Sequence, residues 1–110
     1  MRIFLALLLL CTPALADPPR IVSARLDGSS LSVTLLHPDS GWDHYADAWR
    51  AELPDGTVLA TRVLAHPHET EQPFTRSQRI DLPPDTDYLT IRARCLVDGW
   101  SDETFRLDLD

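Results

Sequence analysis

The chain has 110 residues, 44% of them hydrophobic, with ten Arg and no Lys against 17 Asp and Glu, for a formal net charge of −7. That is one domain's worth of sequence with the composition of a packed globule. Without a basic stripe it is not built to neutralise phosphates or anionic membrane surfaces, and without Lys it has neither Schiff-base chemistry nor a P-loop lysine.

Residues 1–16 read as a signal peptide: the basic start Met1-Arg2, an apolar run from Ile3 to Leu10, and Ala14-Leu15-Ala16 just before Asp17. Cleavage there leaves residues 17–110 as a single domain with nine Arg against 17 acids, net −8. Cys11 follows leucines rather than the small residue a lipid-attachment cysteine wants, so the expectation is a secreted, periplasmic protein. No run of about 20 apolar residues follows residue 16, and no membrane insertion is expected after cleavage.

The remainder is punctuated by prolines, with short alternating runs between them that read as strands. Ile21 to Leu26 is the first, followed by the turn Asp27-Gly28-Ser29-Ser30. Leu31, Val33 and Leu35 alternate with Ser32 and Thr34 in a second that stops at His37-Pro38. Tyr45 to Leu53 makes a third, with Tyr45, Trp49, Ala51 and Leu53 on one face. Pro54-Asp55-Gly56 is a turn signal, and Thr57 to Ala65 a fourth strand. Residues 66–76 read as a polar loop, Arg79 to Leu82 as a short fifth strand, Tyr88 to Val97 as a long sixth, and Thr104 to Leu109 as the last. Seven short strands with no amphipathic helical stretch predict an all-β, immunoglobulin-like sandwich. Its inward candidates are Val22, Leu31, Val33, Leu35, Trp49, Leu53, Val58, Ile80, Leu89, Ile91, Ala93 and Leu107.

The chemistry-bearing residues sit at strand ends. His37 ends the second strand and His44 opens the third, with six residues between them, so their imidazoles are expected to converge at one pole. Cys95 and Asp98 lie at the end of the sixth strand in a Cys-x-x-Asp spacing. Imidazole plus thiolate suits iron, copper or zinc, and a carboxylate can fill a further position. With Cys11 removed, Cys95 has no internal disulfide partner; it is either a buried core residue or a ligand. Asp98 likewise reads as a turn residue before Gly99 or as a ligand. His66 and His68 are a second candidate pair, because alternate residues of an extended segment point the same way, with Glu69 and Glu71 nearby. Trp42 and Trp100 are expected in loops at the same pole, able to shield a site.

His37-Pro38, His44-Tyr45 leading into the strand with Trp49, and Ile91-Arg92-Ala93-Arg94-Cys95 followed by Gly99-Trp100 resemble the desulfoferrodoxin (superoxide reductase) domain, over roughly Leu31 to Phe105. The resemblance implies an immunoglobulin-like seven-stranded fold and a mononuclear iron held by histidines and one cysteine. His37, His44 and Cys95 match that ligand pattern, and Asp98 stands where the family has a histidine. The family's first histidine, with its Glu-Lys pair, has no counterpart in Asp17-Pro18-Pro19-Arg20. A chain with this incomplete ligand set and no lysine to attract an anion is not expected to be a superoxide reductase.

The sequence therefore predicts an exported β-sandwich that binds a transition metal, iron first and then copper or zinc, at His37, His44, Cys95 and Asp98. The rival readings are a metal-free module that holds a periplasmic protein partner through residues 66–76 and the exposed aromatics, and a redox enzyme acting on superoxide.

Overall fold

The computed structural model describes residues 18–109; the signal-peptide reading of residues 1–16 lies outside them. Seven strands are present, with no helix among the described residues: β1 (Arg20–Asp27), β2 (Ser30–Leu36), β3 (Ala46–Glu52), β4 (Val58–Val63), β5 (Phe74–Arg79), β6 (Tyr88–Cys95) and β7 (Gly99–Asp108). They form two antiparallel sheets, β1-β2-β5 and β4-β3-β6-β7, packed as the expected sandwich.

The core follows from the two-residue period of strand side chains. Leu31, Val33 and Leu35 of β2 face Leu89, Ile91 and Ala93 of β6 across the sandwich, with Trp49 and Ala51 of β3 and Phe74 of β5 between them, and all are buried. Three interruptions of register re-aim other positions. A shift between Ile21 and Ser23 in β1 leaves Val22 outside, at 48% exposure, and one between Ala51 and Glu52 leaves Val58 outside on the edge strand β4, at 45%. Neither is the core residue expected. A third, between Ala46 and Ala48, makes Ala46 rather than Tyr45 the buried partner of Trp49 on β3.

The fifth strand is the larger correction, since it spans Phe74–Arg79 rather than Arg79 to Leu82. Only Phe74 of that segment is apolar, and its outer face carries two hydroxyls beside Arg79. Thr75 Oγ1 lies 2.7 Å from Thr34 Oγ1 and Ser77 Oγ lies 2.8 Å from Ser32 Oγ, each pair directly opposite on β2. Cross-strand hydroxyl bonds stabilise such a strand without any hydrophobic alternation for sequence reasoning to detect. The seventh strand likewise starts early, at Gly99, so Trp100 is a strand residue. It sits under the Arg50 guanidinium, 4.2 Å from the ring centroid, rather than in a loop beside the site.

The outer face of the four-stranded sheet is an arginine network in an otherwise acidic protein. Glu52, almost buried, accepts from Arg50 Nε at 2.8 Å and Arg92 Nε at 3.0 Å, while Arg94 pairs with Asp47. Burial alone would raise the Glu52 carboxyl, but the bonds and charges of Arg92 and Arg50 outweigh it and hold the group below its ordinary 4.5. A carboxylate depressed on folding adds stability above the unfolded value, and that stability is lost as pH falls through the folded one. Glu52→Gln is therefore expected to cost about 1–3 kcal/mol at neutral pH. In urea unfolding the gap from wild type should close as the pH drops below 4.5.

Candidate metal centre

Two of the three central donors are simply the next inward positions of the core runs. Leu31, Val33, Leu35 and His37 alternate inward along β2 and one step past its end; Leu89, Ile91, Ala93 and Cys95 alternate inward along β6 to its last residue. The two runs belong to different sheets and finish at the same pole, where His37 and Cys95 are both 0% exposed. The third donor arrives through a tight loop. Ser40 N donates to His44 O at 3.0 Å and His44 N to Gly41 O at 3.1 Å, which folds residues 40–44 back on themselves. Gly41, at φ 132°, has the conformation that glycine adopts without strain, and a Cβ there would stand 3.3 Å from Glu69 Oε1. The loop delivers His44 just ahead of Ala46, whose partner across β6 is Cys95.

The ligand atoms of His37, His44 and Cys95 all lie within 4.8 Å of one another. A point no more than about 2.8 Å from all three therefore exists, and imidazole and thiolate bonds to a transition ion run about 2.0–2.3 Å. Closure by roughly half an ångström is within the reach of side-chain rotation. The two rings meet edge to face at 4.8 Å between centroids, and both Nε2 atoms are buried with no hydrogen-bond partner among the described residues. A buried, unpartnered imidazole nitrogen costs free energy unless something fills it. Two beside a buried thiol match a soft-to-borderline cation. Cys95 is thus an inward core residue whose thiol also stands beside both imidazoles, so the two roles the sequence left as alternatives are compatible.

Asp98 does not join this group, for it is exposed in the turn between β6 and β7. His66 and His68 do come together, 4.5 Å between centroids, but in different environments. His66 is exposed and bonds to Pro67 O, whereas His68 is buried and stacked on Phe74 at 3.8 Å with an 8° interplanar angle. Residues 66–76 are accordingly half framework: Phe74 and His68 are core, and Gln72 bonds inward. Trp42 is 66% exposed and packs edge-on against Tyr45, so it rims the pole rather than closing it.

Sequence reading missed Asp39. It looked like the loop residue of Asp39-Ser40-Gly41, yet its side chain is 0% exposed. Its Oδ1 accepts from His37 Nδ1 at 2.5 Å and from Ala46 N at 3.0 Å, and its Oδ2 accepts from His68 N at 2.7 Å. Gln72, also missed, accepts from His37 N at 2.9 Å and donates to His68 O at 2.8 Å. The one available signal was an acidic residue two positions after a candidate ligand, a spacing too common in turns to single out.

No family model matches the chain. Over 79 residues, 72% of the chain, it is 39% identical to a Halomicrobium mukohataei protein named "Putative lipoprotein", and it spans 39% of that relative's length. Among solved structures it is similar to a superoxide reductase from Giardia intestinalis, with a TM-score of 0.56 and 17% sequence identity, covering 79% of this chain and 94% of that one. The fold is that of the superoxide reductases, as the residues around His37, His44 and Cys95 implied.

Burial, then the positive charges of Arg76 and His66, push His68 below its ordinary 6.5, against the opposing pull of Asp39 and Glu71. The unfolded chain then binds the proton more readily, so stability falls as pH drops through 6.5 towards the folded value. His68→Phe keeps the stack on Phe74 and removes the proton site. The loss of thermal midpoint between about pH 7.5 and 5.5 should shrink in this variant relative to wild type.

Proposed function

We propose that this chain is a transition-metal-binding β-sandwich of an exported protein, with His37, His44 and Cys95 as its ligands. One observation carries the reading. Three donors from separate segments on both sheets converge at one pole, and both imidazoles leave Nε2 buried and unpartnered. Iron is the first candidate, on the likeness to the Giardia superoxide reductase, followed by copper and zinc, which the same donor set suits. Bound there, iron or copper supplies one-electron redox capacity. The protein's part is to hold two neutral imidazoles and a thiolate in a pocket shielded from water. Export is supported by the lipoprotein name of the Halomicrobium relative and by the leader-like residues 1–16, which make the periplasm or cell surface the proposed location.

Superoxide reduction is not proposed. Both imidazole Nε2 atoms and Cys95 are buried, although the His44 residue is partly exposed, and the chain has no lysine to draw an anion towards them. The metal-free binding module remains the rival, with the exposed Trp42, Leu96 and Val97 as its apolar surface.

Elemental analysis of untagged protein secreted from an expression host decides between them. About one equivalent of metal is expected in wild type and less than about a tenth in Cys95→Ala and His44→Ala, as removing one of three ligands demands. Asp98→Ala should keep the wild-type content. Equal metal in wild type and Cys95→Ala would show that the ion sits elsewhere, and a metal-free wild type that takes up none on titration would favour the binding module.

A further inference from the structure

The buried Asp39 carboxylate stands outside the ligand set, and its contacts have a directional consequence. A carboxylate only accepts hydrogen bonds. Its 2.5 Å contact with His37 Nδ1 therefore places a ring proton on Nδ1, and in the neutral ring that a ligand must be, Nε2 is then the bare nitrogen. The bare atom is the one that is buried and unpartnered beside His44 and Cys95. The carboxylate has little freedom to turn away, because backbone amides from two distant segments, Ala46 at the start of β3 and His68, also point at it. Gln72 closes the frame by bonding His37 N and His68 O, so His37 is held at its backbone and at its ring by groups tied to residues 68–72.

We propose that Asp39 is the positioning residue of this centre: it fixes His37 in the Nδ1–H tautomer that presents Nε2 as a ligand, and the 68–72 segment exists to hold Asp39 and His37 in that arrangement. The proposal rests on the metal-binding reading above. It also assigns residues 66–76 a role as second support of the site rather than as a free recognition loop. Such outer partners of ligating histidines fix both ring orientation and tautomer, and their loss commonly weakens metal binding by about 10–100-fold.

The test has two arms. Long-range proton–nitrogen spectra of the histidine rings in metal-free wild type should show His37 protonated at Nδ1. This measurement needs no variant to fold. Cobalt(II) titration in competition with a chelator, followed by thiolate-to-cobalt absorption, should give an affinity about 10–100-fold weaker in Asp39→Asn than in wild type. In that variant the carboxylate charge that holds the Nδ1 proton is gone, so the Nδ1–H share of His37 should fall while well-dispersed amide signals show the fold intact. An Nε2–H tautomer in wild type, or cobalt affinity in a folded Asp39→Asn equal to wild type, would overturn the positioning role and leave the three-ligand reading standing. Failure of wild type to bind cobalt at all would end the metal reading, and the positioning role with it, whichever tautomer is seen.

Discussion

Side chains along a strand change face at every residue, and at this pole that constraint holds to the last residue of β6 and one step past the end of β2. The inward rows that build the core, Leu31-Val33-Leu35 and Leu89-Ile91-Ala93, each have one further position, and those positions are His37 and Cys95. Their burial needs no special device, because each inherits the direction of the row behind it. The donors are thus placed by the same packing that stabilises the sandwich. Their spacing is set by the distance between the two sheets rather than by the flexibility of a loop. His44 alone depends on loop geometry, and Gly41 with its reversed backbone provides it.

What was legible in the sequence divides along this line. The strands with apolar alternation, β2, β3 and β6, were readable, and so was the meeting of His37, His44 and Cys95. β5 was not, because Thr75 and Ser77 are matched to Thr34 and Ser32 by hydroxyl bonds that exist only once the partner strand is known. Val22 and Val58 were misplaced for a related reason: a single irregularity of register reverses the facing of a residue, and nothing in the local sequence marks it. Asp39 and Gln72 were invisible as site residues because the bonds that set them apart from ordinary loop residues, Asp39 to His68 and Gln72 to His37, join positions 29 and 35 apart along the chain, while the Asp39 contact with His37 has a spacing common in turns.

The protein handles its acidity unevenly. Most of the acidic residues among those described are at the surface, where a net negative charge favours solubility. Two carboxylates are taken inside, and each is answered differently. Glu52 is satisfied by charge, with two guanidinium groups on the outer face of the sheet. Asp39 is satisfied by dipoles, from two backbone amides and one imidazole. The distinction suits their surroundings. A guanidinium beside Asp39 would place a fixed positive charge next to the three donors and oppose a cation there, whereas amide and imidazole N–H groups stabilise the carboxylate while adding no such charge.

That the three donors come from both sheets has a mechanical meaning. β2 lies in one sheet and β6 in the other, and His37 and Cys95 extend one from each. In antibody domains a disulfide spans the two sheets of the sandwich. Here the described residues contain the single buried cysteine Cys95, and no such covalent tie is available to it within them. An ion bound between His37, His44 and Cys95 would cross-link the sheets in its stead, closing a loop of about 60 residues. Unlike a disulfide, that tie is reversible. It would tighten the fold with the logarithm of the free metal once that exceeds the dissociation constant, and it would leave the sandwich able to open when the metal is withdrawn.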